Sequence, residues 1–66
     1  MARYVVNRNV QPNGDHEVHV QACRYFPSSY IELGDHSSCH TAVSEAKRYY
    51  STANGCATCS SACHTG

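Results

Sequence analysis

Two short Cys/His pairs stand far apart in this chain: His19-x3-Cys23 early, and Cys56-Ala57-Thr58-Cys59 near the end. Two thiols separated by two residues can aim both sulfurs from one tight turn at a metal ion about 2.3 Å away. A second pair arriving from a distant point closes a tetrahedral site and a long loop with it. Closing a long loop removes more freedom from the unfolded chain than closing a short one, so such a site is also a staple. A chain of 66 residues needs one. Its folded form buries only about 60% of the surface the unfolded chain exposes, and its core alone contributes only about 3–5 kcal/mol. The large apolar residues are six Val, with one each of Ile, Leu, Phe and Met, and no Trp; five Tyr supply most of the bulk.

Other ligand sets compete. Cys63 and His64 follow closely, and Cys56, Cys59, Cys63 and His64 together form a local set that knots the tail without joining it to the rest. Three nearby cysteines also suit an iron–sulfur cluster. The long-range set is the better staple. Cys39 falls on a helical spacing that suits a small buried residue. Five cysteines are an odd number, so a disulfide framework cannot use them all. The N-terminus runs straight into strand-like sequence, with no leader and no apolar run of membrane-spanning length. The chain reads as a reduced, cytoplasmic protein whose thiols bind metal, with no membrane partner.

Arg3–Val6 is β-branched and aromatic and predicts a strand. Gln11-Pro12-Asn13-Gly14-Asp15 is a turn signal, and His16–Val20 alternates as a half-buried strand. Alternation sends Val18 and Val20 to the core and His19 away from it. The two strands pair as a hairpin. Phe26–Ser29 breaks regular structure, and Tyr30–Leu33 is a short third strand stopped by Gly34. Ser37 or Ser38 is the expected N-cap of a helix whose face carries Cys39, Ala42, Val43, Ala46, Tyr49, Tyr50 and Ala53. Gly55 ends it in the left-handed C-terminal role. The expected fold is a single α+β unit over residues 1–66: a short antiparallel three-stranded sheet, one packed helix and a Cys-rich tail, stapled by metal.

The remaining signals are weaker. His16 and His19 are close enough to share a strand face, and His36 and His40 stand four apart near the helix start. Arg3-Tyr4, Arg24-Tyr25-Phe26 and Lys47-Arg48-Tyr49-Tyr50 set basic beside aromatic residues, the composition of a base-stacking, phosphate-contacting surface. Arg24, Tyr25, Lys47 and Arg48 are the candidate nucleic-acid contacts. Five basic and five acidic residues cancel, however, which gives no push toward nucleic acids or membranes. No nucleophile elbow or Gly-rich phosphate loop is present, and four protein ligands leave a metal no open position for catalysis. The expected function is a non-catalytic module that binds another macromolecule, a protein before a nucleic acid. A nucleic-acid module, or a thiol redox protein using Cys56, Cys59 and Cys63, are the alternatives.

The order of strand, His19-x3-Cys23-Arg24-Tyr25, a helix containing Ala42 to Ala46, and Gly55-Cys56-x2-Cys59 resembles a known type of module. It is similar to the small zinc domain of Ada-type DNA-repair proteins and to related modules attached to some bacterial nucleases. The resemblance covers about residues 17 to 59 and implies one structural zinc held by His19, Cys23, Cys56 and Cys59. In the repair domain a zinc-bound cysteine opens the first pair and accepts a methyl group from DNA phosphate. Here that position is His19, so the acceptor chemistry does not carry over. Cys56 also lacks the usual preceding Pro, and Cys39, Cys63 and His64 are additions.

Overall fold

A computed structural model describes residues 1–65. Strand β1 spans Ala2–Asn7, β2 His16–Val20 and β3 Tyr30–His36; helix α1 spans Cys39–Ala46, β4 Ala53–Gly55, and a 3-10 turn Ser61–Cys63. They make one four-stranded mixed sheet in the order β3-β1-β2-β4. The β1–β2 hairpin is antiparallel, with Val5 opposite His19 and Val6 opposite Val18. Its loop is closed at the expected turn, where Gly14 donates to Gln11 O at 2.8 Å and takes a φ of 93° that favours glycine.

The expected three-stranded antiparallel sheet is corrected by β4, which runs parallel to β2 and pairs Val18 with Gly55. Strand β3 also outruns its expected stop. It continues through Gly34, whose φ of 80° absorbs a register shift between the β1 partners Tyr4 and Val5. The helix is shorter than its apolar spacing predicts. Tyr-Tyr-Ser-Thr after Arg48 is a run of weak helix formers, and the backbone there closes turns instead: Tyr50 N bonds Ala46 O, and Ala53 N bonds Tyr50 O. Tyr50 stacks flat on His16, with ring centroids 3.7 Å apart. Gly55 therefore lies in a strand rather than in a left-handed cap. Ser38 does occupy the N-cap position, without a capping side-chain bond.

Alternation divides the sheet. Tyr4, Val6, Val18 and Leu33 pack with Cys39, Ala42 and Ala46 of α1 and with Ala53. Small helix residues let α1 lie close, so a few Val side chains suffice as a core. The opposite face carries His19 and Glu17. It also carries Arg3, whose guanidinium bonds Glu32 at 2.8 Å and holds that carboxyl below the usual range.

Cys39 and Cys63 form a disulfide, which corrects the expectation that every thiol is reduced. It bridges the helix start to the 3-10 turn across a sequence separation of 24. A loop of that length corresponds to about 3.5 kcal/mol on chain-entropy grounds. The double variant Cys39→Ala/Cys63→Ala should therefore lose about 2–4 kcal/mol in a urea titration. Unchanged stability would mean that the turn is held by other contacts. Buried Asn54 pins the chain end beside it, accepting from Thr65 N at 3.0 Å and donating to Asp15 Oδ2 at 3.1 Å. No helix among the described residues is long and apolar enough to cross a membrane.

Candidate metal centre

His19, Cys23, Cys56 and Cys59 converge on the sheet face opposite the helix, their ligand atoms all within 4.8 Å of one another. Each arrives for a local reason. His19 is on β2, turned from the Val18 side by the strand period. Cys23 follows in a tight turn in which its N–H bonds Val20 O at 3.0 Å and Phe26 N bonds back to Cys23 O at 3.1 Å. Cys56 is set by β4, whose pairing continues one residue further as Cys56 N donates to Val18 O at 3.0 Å. Cys59 comes from the next turn, closed by Ser60 N to Cys56 O at 2.9 Å. Beyond β4 the Val20 N–H has no strand to meet and donates to the Cys59 sulfur at 3.4 Å. The Tyr25 N–H donates likewise to Cys23 Sγ at 3.4 Å.

The distances fit a tetrahedral ion. Metal–sulfur bonds of about 2.3 Å and a metal–nitrogen bond of about 2.0–2.1 Å imply edges of about 3.8 Å between sulfurs and about 3.5 Å from sulfur to nitrogen. Cys23 and Cys56 Sγ are 4.0 Å apart, and Cys59 Sγ lies 3.8 Å from His19 Nδ1. The other imidazole nitrogen, Nε2, faces Glu17 Oε1 at 3.4 Å. A carboxylate on that side favours the tautomer protonated at Nε2, which leaves the Nδ1 lone pair for a metal. Glu17 carries no ligand spacing and is invisible as a functional residue in the pattern. The signal for it is positional, because residues two apart on a strand share a face. Glu17→Ala should weaken metal affinity about 10–100-fold in a chelator competition. An unchanged affinity would reduce Glu17 to a surface neighbour.

Burial pushes the His19 imidazole below its ordinary pKa of 6.5, with Glu17 pulling weakly the other way. Burial likewise pushes the Cys59 thiol up, against the Val20 N–H. A neutral imidazole is the ligating form, and a divalent cation reverses the preference of the thiol. Below 6.5 the unfolded chain takes up a proton at His19 that the folded chain refuses, so stability falls as pH drops from there toward the depressed folded value. Proton competition for the ligands acts in the same direction. The urea midpoint should be level near pH 7 and fall as the pH drops below 6.5. A midpoint that stays level throughout would contradict this.

Cys63 and His64 stand outside the cluster. Cys63 is in the disulfide, packed toward the helix-side core, and His64 Nδ1 lies 3.0 Å from Gly55 O. The reason is Gly55: without a Cβ it lets the 3-10 turn settle on β4, which directs Cys63 to Cys39. His40 lies within 4.8 Å of both sulfurs of that bond, which are joined and offer no thiolate pair. His16 and His19 take opposite faces of β2, so they share no site. The basic–aromatic positions are also divided. Arg24 and Tyr25 sit beside the centre, with the guanidinium 5.8 Å from the ring centroid. Lys47 and Arg48 leave the end of the helix that covers the other face. Arg3 is taken by Glu32.

The chain thus contains a Cys3His group, buried at His19, Cys23 and Cys56 and half-buried at Cys59, that could hold a metal ion. No family model, curated protein or solved structure matches the chain.

Proposed function

We propose that this protein is a non-catalytic zinc module that docks onto another protein, with one structural Zn2+ held by His19, Cys23, Cys56 and Cys59. The observation that carries the reading is the convergence of four ligand atoms from two distant segments, backed by Glu17 behind His19. Three sulfurs and one imidazole are a zinc donor set, and four protein ligands leave no open position for a reacting water. The ion then has a mechanical role. It fastens the turn after β2 to the turn after β4 and supports the face of the sheet that no helix covers. The resemblance to Ada-type zinc domains points to the same four ligands.

A protein partner is favoured over nucleic acid. The formal charge is zero, and the basic–aromatic pairs lie on different sides of the sheet instead of forming one phosphate-binding stripe. A redox role is disfavoured by the raised pKa of the Cys59 thiol, since reactive cysteines sit where the thiolate is stabilised.

Native mass spectrometry before and after chelation tests the assignment. One zinc per chain is expected. Cys23→Ser should release it and Cys63→Ser should retain it. Release by Cys63→Ser alone would transfer the site to the tail.

A further inference from the structure

Beside the metal centre a cavity of about 340 Å³ opens, with His19 and Cys56 in its wall. We infer that this cleft receives a protonated primary amine, the side-chain ammonium of a lysine on the partner protein. The inference rests on the zinc reading for part of its charge argument.

Glu17 lines the cleft, and its side chain is 22% exposed. One oxygen faces His19, and the second remains for a guest. Gln11 and Thr58, also in the lining, are polar, and so is Asn7, whose Oδ1 accepts from Asn9 N at 2.9 Å. An ammonium has three N–H donors and needs that many acceptors when it leaves water. Among the described residues no lysine or arginine lines the cleft. Three thiolates against one divalent cation leave the centre one negative charge, and Glu17 makes it two. A phosphate or carboxylate guest is repelled there and a cation attracted.

The last wall is aromatic. Tyr25 lines the cleft with 58% of its surface exposed, and its ring already carries a cation, the Arg24 guanidinium. An ammonium held between Glu17 and this ring gains an ion pair and a cation–π contact together. Arg24 competes with it for the ring and opposes its charge. The two neighbouring residues therefore have opposite effects: Tyr25 favours the guest and Arg24 weakens it.

The test is a two-dimensional NMR titration of the zinc-loaded full chain, with zinc counted by native mass spectrometry on the same sample. The probes are n-butylammonium chloride, a blocked Gly-Lys-Gly peptide, its Gly-Gln-Gly counterpart, and inorganic phosphate. The ammonium and the lysine peptide should give saturable shifts at Gln11, Glu17, Tyr25 and Thr58; phosphate and the glutamine peptide should not. Glu17→Gln loses the charge and should weaken ammonium binding about tenfold when compared with the parent at saturating zinc, with one ion per chain counted in both. Arg24→Ala should tighten it about two- to fivefold, and Tyr25→Ala, at an exposed position, should weaken it by a similar factor. Phosphate shifts at these residues, weaker binding in Arg24→Ala, or butylammonium binding with the lysine peptide excluded would overturn the inference. One bound zinc with no ammonium response overturns it alone; absence of zinc overturns the metal reading as well.

Discussion

Cys56→Ser is expected to release the metal and abolish the cooperative unfolding transition. Cys56 is 3% exposed, its sulfur is 4.0 Å from that of Cys23, and its N–H extends the β2–β4 pairing. Apparent binding free energies for structural zinc are about 10–16 kcal/mol, against about 3–5 kcal/mol from a core of this size. Losing one of four ligands therefore removes more than the core can replace. The Cys39–Cys63 disulfide keeps the chain compact, but it joins the helix to the tail and does not hold the turn after β2. Near-ultraviolet circular dichroism and amide dispersion should collapse, and saturating chelator should produce the same state in the unmodified chain. A Cys56→Ser chain melting at the parent temperature would show that the four residues are ordinary packing.

Gly55→Ala should be the next most damaging change, although it adds a single methyl group. The new Cβ would lie 2.7 Å from Ser60 O, 2.8 Å from Cys63 Cβ and 2.9 Å from Cys63 C. Two of those atoms are backbone and the third is tied by a disulfide, so none can swing aside. Overpacking of this kind costs about 1–3 kcal/mol, occasionally more. The displaced segment begins at Cys56, so metal affinity should fall with stability. Gly14→Ala is the contrast. Its Cβ meets nothing within 4 Å, but a φ of 93° charges it about 1–2 kcal/mol of backbone strain, with metal affinity untouched. Equal affinity in Gly55→Ala and the parent would separate the tail from the site.

Much of the architecture is legible from local pattern. The β2 bounds follow from His-Glu-Val-His-Val alternation, and the hairpin follows from a Pro-Asn-Gly turn between two strand-like runs. The residues brought together in the metal centre are those with ligand chemistry and ligand spacing. Strand β4 is not legible. Ala-Asn-Gly is three residues long and contains two poor strand formers, and only the free edge of β2 makes it a strand. The same pairing ends the helix, because the chain cannot both continue α1 through Ala53 and place Ala53 opposite His16. Glu17 and the split of the basic residues depend likewise on which face of the sheet each element covers.

The sequence by itself determined the donor chemistry: which side chains can hold a soft divalent ion, that hydrophobic bulk is scarce, and where β2 begins and ends. These are properties of residue types and short periods. The tertiary structure alone decided how five cysteines divide, three to the centre and two to a disulfide. Spacing along a chain is blind to which side of a sheet a returning segment lands on. Here that side was set by a glycine with no Cβ on a parallel edge strand.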